Sequence, residues 1–303
     1  MAYLHENRDE FLTAVSLCVE KFGILPEIVE KDYYVTFILR LIAGIRPFIV
    51  FKGGTSLSKC HKVIKRFSED IDLTVDQEIS RGQKKKIKEA LRDIAAELGM
   101  NIPNIDQTQS KNSYNKYIFE YNSVLQKTDS AVKPSLVLET SYAEISFPTI
   151  ILPIDCYVGK LMEKEAPEEI GNFSLDPFEM KVQSIDRTMA DKIFALCDYY
   201  MKGNVSRHSR HIYDICKLLP LVPLNDAFAR LVHEVRSVRA KNVTLCLSAQ
   251  PGVNISEKLM EIVDNNIYQT DYESVTSRIL EEHIPYETAI KAVSEIAGSG
   301  IFD

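Results

Sequence analysis

The sequence has 303 residues, a length at which two packed lobes are a better expectation than a single hydrophobic core. With 45% hydrophobic and 26% charged residues, the composition is that of a globular protein, which excludes a chain that is disordered throughout. The 36 Lys and Arg residues are outnumbered by 43 Asp and Glu residues, and the resulting net charge of −7 argues against a broad, non-specific grip on nucleic acid.

No targeting or membrane segment is expected. The first ten residues are polar and lack the apolar core of a signal peptide. No apolar run approaches the roughly 20 residues that span a bilayer. The six cysteines are scattered, without a CxxC pair or zinc-site spacing, which favours free thiols in a reducing compartment. These features predict a cytoplasmic protein without a membrane partner.

Helical and strand patterns alternate in the first half of the chain. Apolar residues at three-to-four spacing indicate the helices, and short apolar or alternating runs indicate the strands. The predicted elements are a helical hairpin (8–44), a strand (47–52), a short helix (55–64), a strand (70–75), a long helix (80–99) and two further strands (117–124 and 135–142).

From residue 186 onward the periodicity is helical, with breaks at glycine and proline residues. The sequence therefore predicts an α/β fold with a mixed sheet. Its N-terminal lobe (1–185) combines the helical hairpin with a sheet core (47–185), and a C-terminal helical lobe (186–303) follows.

A diglycine turn, Gly53–Gly54, follows the first predicted strand. A strand that ends in two glycines and enters a helix presents main-chain N–H groups near the positive end of the helix dipole, which suits phosphates. Glycine also permits close approach of a phosphate to the main chain. A purely structural turn is the alternative. The predicted nucleotide-binding residues here are Lys52, Gly53, Gly54, Thr55 and Ser56.

A pair of carboxylates, Asp70 and Asp72, lies in the second predicted strand. Polar and apolar residues alternate there, so both side chains share one face. Two such carboxylates can bind one Mg²⁺ or Mn²⁺ together with substrate phosphates, as phosphoryl transfer requires. The alternative is a solvated strand face.

A third carboxylate is expected to complete the metal site and to act on the proton of the nucleophile. Glu139 is the candidate, because it places a charge within an apolar strand on the same face as Val137. Glu144 is the second choice. A surface charge on an edge strand is the competing interpretation of Glu139.

Residues 52–73, KGGTSLSKCHKVIKRFSEDIDL, resemble the phosphate-turn and carboxylate signature of the polymerase-β-like nucleotidyltransferases, and more closely the AbiEii/AbiGii toxin family, which includes MenT-like toxins. Three distant segments agree with the family's motifs: IVEKDYY (28–34), ADKIFAL (190–196) and RHSRHIYDI (207–215). The resemblance implies a polymerase-β-like catalytic lobe and transfer of a nucleotide from a nucleoside triphosphate.

The resemblance also implies roles for single residues. It gives the metal and nucleotide centre to Ser68, Asp70 and Asp72, phosphate contact to Lys192, and completion of the site to Asp214. From the local pattern alone, Lys192 could equally be a solvated lysine. Asp214 could likewise belong to an ordinary ion pair on a helix surface. One position departs from the family, which usually has Arg-Asp where this chain has Arg210 and His211.

Two basic groups could receive a nucleic-acid acceptor. Residues 81–88 form the first, although a charged helix face is usually just solvated. The second comprises Lys202, Arg207, His208, Arg210 and His211. In this second group, Arg207 and Arg210 could instead hold the incoming triphosphate.

The resemblance implies a toxin of a toxin–antitoxin or phage-defence system that modifies an RNA 3′ end, with transfer RNA as acceptor and an antitoxin as partner. Three alternatives remain open from the residues. They are a nucleotide-binding module that holds GTP without transfer, nucleotidylation of a protein hydroxyl, and a metal-dependent nuclease. The diglycine turn argues against the nuclease, which has no need of it.

Overall fold

A six-stranded mixed sheet forms the centre of the first half of the chain in the computed structural model, which describes residues 2–66, 68, 70–125 and 133–303. Its strands are β1 (Ile49–Lys52), β2 (Ile71–Val75), β3 (Tyr114–Glu120), β4 (Ser135–Ile145), β5 (Thr149–Ile154) and β6 (Phe178–Gln183). The strand order is β3-β4-β2-β1-β6-β5. Strand β1 runs antiparallel to β2 and parallel to β6, which confirms the expected mixed sheet.

The α-helices of the described residues are α1 (Arg8–Phe22), α2 (Pro26–Ile45), α3 (Gly53–Lys59), α4 (Arg81–Glu97), α5 (Tyr157–Glu165), α6 (Ile185–Met201), α7 (Arg210–Leu218), α8 (Asp226–Arg239), α9 (Ile255–Asp264), α10 (Gln269–Ser274) and α11 (Tyr286–Ala297). The α/β class, the N-terminal helical hairpin and the helical second half are thus as the periodicity predicts. None of these helices combines the length and low polarity that crossing a membrane requires.

The chain forms two compact units. Among the described residues, the first unit contains 2–55, 70–125, 133–142 and 149–182, and the second contains 56–66, 68, 143–148 and 183–303. Two short segments of the first half of the chain, 56–68 and 143–148, therefore belong to the second unit.

The first unit contains the helical hairpin. The Asn7 side chain accepts a hydrogen bond from the Glu10 main chain at the start of α1, and Gly23 ends that helix with φ +66°. Pro26 occupies the first position of α2, where its missing N–H costs no hydrogen bond. Most of α2 is buried, so this helix packs as part of the core, whereas α1 buries only one face.

Two elements, α3 and β3, differ most from the predicted boundaries. Helix α3 begins at Gly53 and ends at Lys59, earlier than expected at both ends, so the diglycine turn is the first turn of the helix. Strand β3 begins at Tyr114, three residues before the predicted start. Its exposure alternates from Tyr114 onward, and pairing with β4 overrides the weak local signal.

The second unit has a helical core. Helices α6, α7, α9 and α11 contribute fully buried apolar side chains, including Ile193, Phe194, Ile215, Leu259 and Ile296. The apolar positions on α6 and α7 recur at helical spacing, so each helix turns one face to this core.

Candidate active site

The strand register of the first unit sets charged residues opposite one another. In the β1–β2 pair, Lys52 lies opposite Asp72, and in the β3–β4 pair, Lys116 lies opposite Glu139. Directly opposite residues of an antiparallel pair share a face. Since β4 lies beside β2, two neighbouring strands carry acidic groups, and the strands on either side of them, β3 and β1, carry basic groups.

The carboxylate pair follows the predicted alternation. Ile71 and Leu73 are buried on one face of β2, while Asp70 and Asp72 are half-buried. The two acids therefore retain access to solvent and to a ligand while the apolar residues between them anchor the strand.

Gly53 brings its main chain against one of these acids. Its φ is +81°, in the region that favours glycine. A Cβ atom at this position would lie 2.0 Å from Oδ2 of Asp72, closer than any non-bonded contact allows. The diglycine turn and the Asp72 carboxylate are thus in contact, and only a glycine at position 53 fits beside that carboxylate.

Glu139 lies close to a tyrosine that the pattern did not single out. Burial and the charges of Glu139, Asp72 and Asp70 all raise the pKa of the Tyr114 phenol. The three carboxylates therefore all lie near one hydroxyl group. Glu139 also pairs with Lys116, at 3.6 Å between Oε1 and Nζ.

Asp70 and Asp72 suit a divalent ion whose remaining ligands come from substrate phosphates and water. Within residues 2–66, 68, 70–125 and 133–303, no three His, Cys, Asp or Glu side chains cluster tightly enough to hold a metal ion. Mg²⁺ is typically bound by one or two carboxylates together with substrate phosphates and water. Asp70 and Asp72 match that requirement, because hard oxygen donors lie on one strand face beside the diglycine turn.

A buried ion triad, Arg66, Lys192 and Asp214, lies in the second unit. Arg66 donates from Nε to Oδ1 and from Nη2 to Oδ2 of Asp214, both at 2.7 Å, and Lys192 Nζ donates to Oδ2 at 2.5 Å. Asp214 is fully buried. Burial raises the pKa of its carboxyl, but the two cations outweigh burial and hold that pKa well below its usual range.

The triad carries more positive than negative charge. Burial and the charge of Arg66 lower the pKa of Lys192, while Asp214 acts in the opposite direction. Burial, Lys192 and Arg210 likewise keep the pKa of His211 well below its ordinary value. His211, which replaces the family's usual aspartate, is therefore neutral at pH 7. Its Nδ1 has no hydrogen-bond partner among the described residues.

The other predicted nucleotide-binding residues of the second unit have different surroundings. Ser56 is buried and Ser68 is half-buried. Arg207 is exposed, and its main-chain N–H donates to Asp271 at 2.7 Å. Arg210 is half-buried at the first position of α7, so its guanidinium is reachable from solvent.

Glu144, the second choice for the third carboxylate, also lies in the second unit. Its Oε2 is 3.8 Å from Arg187 and 3.6 Å from Arg239. Arg239 additionally contacts Asp191 and Asp198, at 3.3 and 2.9 Å. Glu144 thus belongs to a network of structural ion pairs, whereas Glu139 lies near Asp70 and Asp72.

The N-terminal motif, Glu30 to Asp32, connects α2 to three other segments of the first unit. The Glu30 carboxylate accepts hydrogen bonds from the Ser123 hydroxyl at 2.7 Å and from the Val124 main chain at 2.8 Å. Lys31 donates to the Ser135 carbonyl, and Asp32 accepts from the Tyr157 main chain. The motif's contacts are therefore structural.

Two residues of the site escaped the sequence reasoning. Arg66 lies inside the matched motif, but its partner Asp214 is 148 residues away and no local pattern links them. Tyr114 lies three residues before the predicted start of its strand, so the pattern gave it no position on the sheet.

Comparison with known proteins agrees with this architecture. A family model described as nucleotidyl transferase AbiEii toxin, type IV toxin–antitoxin system, matches residues 39–295. The structure is similar to that of MenT4, a nucleotidyltransferase toxin from Mycobacterium tuberculosis H37Rv, with a TM-score of 0.56 and 16% identity over 94% of this chain and 88% of that chain. No curated protein matches the sequence.

Proposed function

Because the chain belongs to the AbiEii family of nucleotidyl transferase toxins of type IV toxin–antitoxin systems, we propose that it transfers a nucleoside monophosphate to the 3′ end of an RNA, with transfer RNA as the acceptor class. In this reaction the acceptor's 3′-oxygen forms a bond to the α-phosphorus of a nucleoside triphosphate. The bond to the β-phosphate oxygen breaks, and pyrophosphate leaves. An antitoxin is the partner that the type IV assignment implies.

The contact between Gly53 and Asp72 is the observation that carries the proposal. The Asp72 carboxylate lies against the main chain of the diglycine turn, in space that a side chain at position 53 would occupy. A triphosphate bound at this turn therefore has its phosphate oxygens beside the carboxylate pair. Lys52, which lies opposite Asp72 in the β1–β2 register, adds a positive charge for those phosphates.

Asp70 and Asp72 are the residues that would hold Mg²⁺ or Mn²⁺. A divalent ion held there would neutralise charge on the phosphates. Glu139 is proposed to accept the proton of the attacking hydroxyl. It is half-buried on β4, the strand beside β2, and its charge acts on the same Tyr114 hydroxyl as the charges of both aspartates, so it is the candidate general base.

In the second unit, Asp214 is proposed to be a positioning residue. Its bidentate bond fixes the Arg66 guanidinium, and its bond to Lys192 fixes the ammonium group. The phosphate contact of Lys192 and the roles of Ser56, Ser68, Arg207 and Arg210 in binding the triphosphate are further parts of the proposal.

The direct test uses purified protein with Mg²⁺, a transfer-RNA pool and each of the four labelled triphosphates. The wild type is expected to extend RNA and to release one pyrophosphate for each nucleotide added. Asp72→Asn is expected to abolish both. The matched control is Asp93→Asn, which makes the same charge change at an exposed position of α4.

Other outcomes identify the competing functions. Label on the protein instead of RNA would indicate protein nucleotidylation. Binding of GTP or another triphosphate without pyrophosphate release would indicate a nucleotide-binding module. Shortening of RNA that requires Asp72 would indicate a nuclease. Each of these results would refute transfer to RNA.

A further inference from the structure

A basic groove runs along helix α4 in the first unit. Its volume is about 730 Å³. The charged residues that line it are Arg81, Lys85, Lys88, Glu89, Arg92 and Lys111. Five cations and one carboxylate thus line the groove, although the whole chain carries a net charge of −7. Three of the cations have partners on the protein: Lys85 pairs with Glu89, Arg92 pairs with Asp106, and Lys88 donates to the Thr108 carbonyl. The groove is therefore basic although the protein as a whole is acidic.

The cations of α4 form a regular stripe. Arg81, Lys85, Lys88 and Arg92 are spaced by four, three and four residues, which places them on one side of the helix. At 1.5 Å per residue the stripe is about 16 Å long. Successive phosphates of a duplex strand advance 3.4 Å along its axis, so the stripe can follow roughly four or five of them.

The opposite wall leads toward the candidate active site. It consists of Gln109, Ser110 and Lys111. Lys111 precedes Tyr114 by three residues, which limits the distance between their Cα atoms to about 11 Å. Tyr114 is 47% exposed and lies near Glu139. An aromatic ring of this kind can stack on an unpaired base.

We propose that this groove binds the phosphodiester backbone of a polynucleotide and holds it with one end directed toward Tyr114 and the carboxylate pair. Identifying that polynucleotide as the acceptor rests on the proposed function. Binding in the groove does not require nucleotidyl transfer and can be measured without it.

The lining favours a polynucleotide over an acidic protein. The nine residues that line the groove are Arg81, Gly82, Lys85, Lys88, Glu89, Arg92, Gln109, Ser110 and Lys111, and none has an apolar side chain. Protein interfaces usually have an apolar centre with aromatic or aliphatic anchors, whereas nucleic-acid interfaces are polar and strongly basic. Evenly spaced cations without such anchors suit a repeating phosphate chain.

Two neighbouring lysines provide a matched pair of variants. Lys85 lines the groove, while Lys86 does not. Both are exposed, lie on α4 and carry the same charge. Lys85→Glu and Lys86→Glu therefore change the net charge equally on the same helix. Arg81→Glu combined with Lys85→Glu removes two cations of the stripe. Urea unfolding checks that each variant remains folded.

The experiment measures binding of a transfer-RNA pool to the full chain at several salt concentrations, without triphosphate. Lys85→Glu is expected to weaken binding about 5-fold at 0.15 M salt and to reduce the slope of log K against log salt by about 0.7–0.9, the loss of one phosphate contact. The double variant is expected to weaken binding roughly 20-fold. Lys86→Glu should bind like the wild type.

Three results would overturn the groove proposal. Equal weakening by Lys85→Glu and Lys86→Glu would show only a general charge effect. Wild-type affinity in the double variant would exclude the groove. Stronger binding of poly-glutamate than of RNA would assign the groove to an acidic protein. If the wild type extends RNA while the double variant binds RNA normally, the groove proposal fails and the proposed function stands.

Discussion

Replacing Gly53 by alanine tests the contact on which the active-site proposal rests. The added Cβ would lie 2.0 Å from Oδ2 of Asp72 and 2.9 Å from its Cγ. The substitution therefore acts in two ways. It places a Cβ on a residue with φ +81°, and it forces the Asp72 carboxylate to move.

The two effects have separate magnitudes. A left-handed conformation costs a residue with a Cβ about 1–2 kcal/mol. Turning Asp72 out of its rotamer adds roughly 0.5–1.5 kcal/mol. We therefore expect Gly53→Ala to lower the free energy of unfolding by about 1.5–3.5 kcal/mol. Activity should fall much further, because the displaced carboxylate belongs to the proposed metal site.

Gly23→Ala is the matched control. Gly23 has φ +66°, and a Cβ added there would meet nothing within 4 Å. It should show the backbone cost of about 1–2 kcal/mol and full activity. Urea unfolding and the RNA-extension assay compare the two variants. Equal stability losses, or full activity in Gly53→Ala, would refute the reasoning about Asp72.

Three further predictions concern the buried ion triad and the metal. Asp214→Asn removes the buried carboxylate charge that Arg66 and Lys192 share, so urea unfolding should show a loss of about 3–5 kcal/mol; a loss below 1 kcal/mol would contradict it. The pKa of Asp214 is lower in the folded than in the unfolded state, so Asp214 stabilises the fold above about pH 4, and this contribution is lost as the pH falls further. In Asp214→Asn, the free energy of unfolding should therefore depend less on pH in the acid range. Chelation with EDTA should stop RNA extension, and Mg²⁺ or Mn²⁺ should restore it; activity that persists in EDTA would exclude the metal.

Local sequence patterns predicted much of the first unit, because the residues at the periodic apolar positions there are also the residues that the fold buries. Polar and apolar residues alternate over residues 70–75, and in the structure Ile71 and Leu73 are buried while Asp70 and Asp72 are half-buried, so the local pattern was enough to predict that the carboxylate pair shares one face. Helix α4 has a capping box at Ser80 and Gln83, and its start was correspondingly clear. The family resemblance at residues 52–73 predicted a nucleotidyl transferase toxin, and the family match confirms that family, while the metal and the roles of single residues stay predictions.

Other features depend on partners far away in the chain. Strands β5 and β6 were not predicted. Strand β5 contains a proline, which argues against a strand in a local pattern but is tolerated here because β5 lies at the edge of the sheet. The Arg66–Asp214 bond joins residues 148 positions apart. The basic stripe on α4 has the pattern of a solvated helix face, and only the structure shows that residues 109–111 line a groove together with it.

The most direct test of the central claim is the position of a metal ion and a nucleotide in a crystal of the protein. Crystals grown with Mn²⁺ and a non-hydrolysable triphosphate would locate the ion by its anomalous scattering. The ion is expected within about 2.0–2.2 Å of oxygens of both Asp70 and Asp72, with the triphosphate against Gly53 and Gly54. An ion bound elsewhere, or a nucleotide away from this turn, would contradict the account.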